Sequence, residues 1–325
     1  MNQWATIGLI CVAILPLSFR CKQWQEVDFN ATVQVPFPEE NPTTAEKIAL
    51  GKALFFDKRL SKDGTISCAT CHNPSKAFTD QLPKSVGING QLSERNAPTL
   101  LNSGFLKTAM FDAHLKTLEL QVIVPIQEKV EMGHNMKVLI PELRKIPEYQ
   151  NAAQKIYGRD FDAYVLTRSI AAFERSLVSM NSPFDQYQRG NKKAISADAK
   201  KGWEIFSKKL YCTSCHPAPH FTSHVAANNG LYLDFGADKG RFRINNDSSE
   251  IGFFKIPTLR NIELTFPYMH DGSFKTLKEV LAHYQKGGEA HPLKSSIIKP
   301  FNLSVTEEKQ LLSFLKSLTD TSYLD

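Results

Sequence analysis

Apolar residues recur at three- and four-residue spacing in "AEKIALGKALFF" (45–56), "FDAYVLTRSIAAFERSLV" (161–178) and "SVTEEKQLLSFLKSL" (304–318). That spacing places them on one face of a helix, and Ser304 or Thr306 stands where an N-cap is wanted in the last of them. "TLKEVLAHYQ" (276–285) repeats the pattern in a shorter piece. Long alternating runs are absent, so the chain is expected to be mainly α. Polar "YQRGNKKAISADAK" (187–200) reads as a linker, and the stretch from His220 to Phe253, rich in Gly, Asn and Asp, reads as irregular surface, either a docking or lid segment or a plain excursion.

The pattern also repeats on a larger scale. "PTLLNSGFLKTAMFDAHLKTL" (98–118) and "PTLRNIELTFPYMHDGSFKTL" (257–277) align without a gap at an offset of 159, with nine of 21 positions identical. Upstream, "LGKALFF" and "KGWEIFS" each put a glycine (Gly51, Gly202) four residues ahead of a phenylalanine (Phe55, Phe206). A tandem duplication is the simplest cause, and each lobe reads as helix, loop, irregular segment, helix. The expected division is 1–22 as a leader or anchor, 23–190 as the first domain and 191–325 as the second.

At 325 residues the chain is long enough for two such domains. Its 42% hydrophobic and 22% charged residues argue against disorder, and a net charge of +6 without a basic face interleaved with aromatics argues against nucleic acid as a partner. The apolar run "WATIGLICVAILPLSF" (4–19) is short for a membrane span and suits an export signal, although no Lys or Arg precedes it and "SFRCKQ" offers no small-residue cleavage site. A cleaved signal, a lipid anchor at Cys21 and a retained anchor all fit. Export implies the periplasm.

Four of the six cysteines fall into two pentads, "CATCH" (68–72) and "CTSCH" (212–216), one in each half of the repeat. This is the pattern of covalent haem attachment: Cys68 and Cys71, and Cys212 and Cys215, add across the vinyl groups, and His72 and His216 bind iron from the proximal side. Zinc or a disulfide is the rival, but two pairs in separate lobes would have to converge on one ion, and each pair has its own histidine. Two covalent c-type haems are therefore expected.

Around the pentads, "LFFDKRLS", "ERNAPTLLN", "LELQVIVPIQEKVEMG", "SPFDQY", "IPTLRN" and "PYMHDG" resemble the bacterial di-haem cytochrome c peroxidase family, which includes the MauG-type enzymes, over nearly the whole mature chain. The resemblance implies two tandem cytochrome c-like lobes whose haems face the lobe interface. The first haem would be peroxidatic, and the second would receive electrons from a small cytochrome c or copper protein. It implies hydrogen peroxide as substrate and admits a homodimer. Gln121 and Glu131 match the family's distal pair, although by residue type alone Glu131 reads as a solvated surface charge. A calcium ion between the lobes would take the side chain of Asn96 and the carbonyls of Thr265 and Pro267, whereas on its own Asn96 reads as a turn cap.

The repeat offset separates the two haems independently. It carries Tyr284 onto Pro125, which has no group that can bind iron, so the first haem is expected to be open where the second has a sixth ligand. By resemblance that ligand is Tyr284, the MauG-type choice in the place of the peroxidases' methionine, with Met269 as the alternative. Two departures from the family stand out. Phe111 in "MFDAH" replaces the inter-haem tryptophan, and Ile88 in "SVGINGQ" replaces a histidine that blocks the first haem in many members. The resulting expectation is a cytochrome c peroxidase, with a MauG-like oxidase of protein side chains and a di-haem electron carrier as rivals.

Overall fold

The computed structural model describes residues 34–324, and the leader-like segment lies outside them. Among the described residues, twelve short to medium α-helices are connected by long irregular segments: α1 (Ala45–Phe55), α2 (Cys68–Cys71), α3 (Leu118–Gln121), α4 (Ile123–Gln127), α5 (Met136–Arg144), α6 (Pro147–Tyr157), α7 (Ala163–Ser176), α8 (Pro183–Gln188), α9 (Ala197–Glu204), α10 (Phe242–Asn245), α11 (Leu277–Gln285) and α12 (Val305–Lys316). The sheet among the described residues is one antiparallel pair, β1 (Ala226–Ala227) with β2 (Phe254–Lys255). No described helix is long and apolar enough to cross a membrane.

Helix starts follow the capping chemistry of the sequence. Ser304 accepts from the Glu307 amide and Glu307 reaches back to it, a full capping box, so Ser304 rather than Thr306 begins α12. Thr276 and Glu279 do the same for α11.

Two hydrophobic cores result. One gathers Leu54, Phe55, Ile126, Leu139, Phe161, Leu166 and Phe173. The other gathers Phe184, Phe206, Phe221, Leu311, Phe314 and Leu318. Each is built on one helix crossing, α1 on α7 and α9 on α12. The duplicated glycines sit at these crossings. A Cβ on Gly51 would lie 1.9 Å from the Ser169 carbonyl oxygen, and one on Gly202 would lie 2.0 Å from that of Gln310. Only glycine allows the backbones to approach so closely.

The repeat is visible as pseudo-symmetry where the halves meet. The Asn96 N–H donates to the His270 carbonyl at 2.8 Å, and the Lys255 N–H donates to that of Phe111 at 2.7 Å. Both members of the second pair sit one repeat offset from the first, since 96 + 159 = 255 and 111 + 159 = 270. Asn102 and Asn261, another equivalent pair, both hold left-handed backbone and both donate to Ser179, the first to its carbonyl and the second to its hydroxyl, each at 2.8 Å.

Candidate functional site: two pentads and their distal residues

Both pentads fold the same way. In each, the pentad imidazole is aimed by a backbone carbonyl: His72 Nδ1 lies 3.1 Å from the Phe78 oxygen and His216 Nδ1 lies 3.0 Å from that of Phe221. The carbonyls of Pro98 and Pro257, again one offset apart, support the same two rings. A carbonyl on Nδ1 selects the tautomer with the proton there and leaves Nε2 with a free lone pair, as an iron ligand requires. Burial holds both imidazoles below the ordinary histidine range, so they stay neutral. The four pentad cysteines are unpaired thiols, and burial pushes those of Cys68 and Cys212 up to about 12.

The distal residues diverge between the halves. α11 runs unbroken from Leu277, but the equivalent stretch from Leu118 breaks at Val122 into α3 and α4. Pro125 has no N–H to give the Gln121 carbonyl, and that missing bond accounts for the break. Gln121 ends α3, half-buried and one turn before Pro125. The chain then doubles back, with the Met132 N–H donating to the Pro125 carbonyl at 3.2 Å.

This return places Glu131 near the first pentad, where its charge raises the Cys71 thiol. Burial, with Glu128 and Glu94 nearby, pushes the Glu131 carboxyl up to about 7, and no donor or cation acts to lower it. Its side chain is half-buried, between a core residue and a fully solvated charge. Ile88 packs beneath the same segment. Its N–H donates to the Glu131 carbonyl at 2.9 Å, and its side chain is buried in the first core.

In the other half, Tyr284 points from α11 toward the second pentad and is close enough to feel Cys215 and Cys212. Burial raises its hydroxyl, and a hydrogen bond with Asn229 acts against that shift. The same Asn229 amide donates to the Met269 sulfur at 3.4 Å. Both candidate ligands therefore meet at one amide. His283, next to Tyr284, turns away to the Asn229 carbonyl, 3.2 Å from its Nε2.

The sequence relationships agree with this geometry. The family model for di-haem cytochrome c peroxidase matches residues 45–193. MauG, the methylamine utilization protein of Methylorubrum extorquens, is 39% identical over 292 residues, covering 89% of this chain and 83% of that protein. The chain belongs to the di-haem cytochrome c peroxidase family. Cytochrome c551 peroxidase of Nitrosomonas europaea is 34% identical over 89% of this chain and 84% of its own length. Among solved structures, a MauG-like protein associated with microbial copper homeostasis superposes with a TM-score of 0.85 at 31% identity, covering 93% of this chain and 97% of that one. This family member is thus an oxidoreductase whose family implies c-type haem.

The segments that the family resemblance assigns to calcium lie side by side at the junction. Asn96 is buried, and its side-chain amide donates to the Leu82 carbonyl at 2.7 Å. Gln81 donates to the Leu264 carbonyl at 3.0 Å, just before Thr265 and Pro267. No group of three or more His, Cys, Asp or Glu able to hold a metal occurs among the described residues, so a cation there would rest on amide and carbonyl oxygens.

Sequence reasoning missed Asn229 and the ion network beside the junction. Asp112 is fully buried and pairs with Arg95 at 2.7 Å and Arg243 at 2.7 Å, and Arg95 also pairs with Asp238. Asn229, Asp238 and Arg243 all belong to the irregular stretch 220–253. That stretch is a clamp between the halves, not a plain surface excursion.

Proposed function

We propose that this protein is a di-haem cytochrome c peroxidase, in which the half around His72 reduces hydrogen peroxide and the half around His216 passes it electrons from a small cytochrome or copper protein. Cys68 and Cys71 hold one haem and Cys212 and Cys215 the other, in two domains divided near residue 190. Glu131 carries this reading: a half-buried carboxyl that no described donor or cation holds ionised, beside the first pentad, on a segment of chain folded back over a proline.

Bound haem supplies the metal that accepts electrons and binds peroxide. The protein's part is proton handling and positioning. Glu131 takes the proton from one peroxide oxygen and returns it to the departing one, so that water leaves instead of hydroxide. Gln121 orients the peroxide by hydrogen bonding. Pro125 and Ile88 carry no group that could bind iron. His72 and His216 would each hold an iron through Nε2, with Nδ1 tied to a carbonyl. Two electrons and two protons then convert one peroxide to two waters.

Tyr284 is the proposed sixth ligand at the second haem, with Met269 as the rival. An anionic oxygen ligand favours ferric iron, and axial identity can move haem potentials across about 0.8 V. Tyrosine there gives weight to a second reading, oxidation of side chains on a partner protein. The cation site of Asn96, Thr265 and Pro267 and an exported, periplasmic location belong to the same proposal.

Steady-state assay of hydrogen peroxide with reduced cytochrome c or a copper protein separates the readings. Fast turnover supports the peroxidase. Slow turnover with covalent change in a partner supports the second reading, and no turnover leaves a di-haem carrier.

A further inference from the structure

Lys255 occupies an unusual place. Its backbone N–H ties β2 to the Phe111 carbonyl at the junction of the halves. Successive strand residues face opposite ways. Phe254 stacks on His270 with ring centroids 3.7 Å apart, and Arg95 lies over it. Lys255 therefore faces the other side, where His224 feels its charge and that of Lys107. No carboxylate meets its ammonium among the described residues, and burial alone draws the group down to about 8.

Unpartnered polar atoms gather beside it: among the described residues, His224 Nδ1, Ser223 Oγ and His220 Nδ1 are buried without a hydrogen-bond partner. Phe105 stacks on His220, and the His220 and His224 rings lie 6.1 Å apart, so these groups form one cluster. Lys255 is half-buried, and a cation drawn out of water beside orphaned polar atoms is costly unless an anion completes it. Two residues after Lys255, the carbonyl of Pro257 supports the His216 ring.

Haem has two carboxylate side chains on the edge opposite its vinyl groups. Attachment of the vinyl edge to Cys212 and Cys215 turns the carboxylates away from that pentad. We propose that the Lys255 ammonium, with Ser223 and His224 beside it, is the seat of a carboxylate of the second haem at the lobe junction. This inference rests on the di-haem reading. The repeat offset puts neutral Asn96 at the equivalent position of the first half, so the device is one-sided. It gives the second haem a fixed positive neighbour that favours its ferrous state and opposes the pull of Tyr284.

The test is spectroelectrochemical titration of the full-length holoprotein and its Lys255→Met and Lys255→Arg variants, after a pyridine haemochrome assay. Fewer than two haems per wild-type chain would sink the di-haem reading itself. With two present, Lys255→Met should lower the second haem's reduction potential by at least about 59 mV, a tenfold shift of the one-electron equilibrium toward ferric iron. Lys255→Arg should keep most of the wild-type potential, and the first haem should not move. An unmoved second haem, an equal shift in both variants, or a shift confined to the first haem overturns the assignment. If Lys255→Met takes up no haem, resonance Raman of Lys255→Arg decides. The haem carboxylate bending band shifts if residue 255 touches it, and an unchanged band overturns the assignment.

Discussion

Glu131 shows what a residue's surroundings can do to its role. Burial beside Glu128 and Glu94 holds its carboxyl near pH 7, where a proton can be taken and given back. A base must be ionised to act, so the rate of reaction with peroxide should rise as pH increases through about 7 and level off above it. Glu131→Gln should keep both haems, lose that pH dependence and slow the reaction by about a hundredfold to ten-thousandfold. Stopped-flow mixing with peroxide across pH checks both outcomes. Tyr284→Phe should change the low-spin spectrum of the second haem and leave the first alone; a spectrum unchanged, with a methionine-to-iron charge-transfer band, would give the ligand role to Met269. At this scale the sequence was uneven. The pentads were legible because their chemistry is local. Glu131's burial was not, because it depends on the chain folding back over Pro125. Asn229 carried no signal at all, since an asparagine in an aperiodic stretch gives no hint of what it will meet.

Among the elements, the helices were the most legible part of the fold. Periodicity and caps located α1, α7, α11 and α12, and the repeat set Gly51 and Gly202 at matching places, each four residues ahead of a phenylalanine. It did not say why. The reason is the close crossing of α1 on α7 and α9 on α12, where a Cβ on Gly202 would meet the Gln310 carbonyl at 2.0 Å. Gly202→Ala should therefore cost about 1–3 kcal/mol or more, read by denaturant unfolding, because backbone must yield to the added methyl. The break between α3 and α4 was readable in principle from Pro125. The clamp formed by 220–253 was not, because its hydrogen bonds and ion pairs join residues far apart in sequence and leave no periodic trace.

At the scale of the whole molecule, the duplication produces two similar halves made unequal at a few positions: Pro125 against Tyr284, and Asn96 against Lys255. The junction depends on Asp112, whose carboxylate holds Arg95 and Arg243 from opposite halves. Asp112→Ala leaves Arg95 largely buried with one partner fewer, and breaking a buried pair in this way typically costs about 3–5 kcal/mol. Loosened packing of the halves should appear as faster amide exchange in both 109–115 and 238–255 by mass spectrometry.

The inequality between the haems is the central claim, and it can be read directly from the resting, fully oxidised holoprotein by electron paramagnetic resonance before and after one equivalent of hydrogen peroxide. The account predicts one high-spin ferric signal from the His72 haem and one low-spin signal, with immediate reaction with peroxide and no prior reduction. Two low-spin haems, inert to peroxide until half-reduced, would contradict it and would mean that some other residue fills the position that Ile88 and Pro125 leave free.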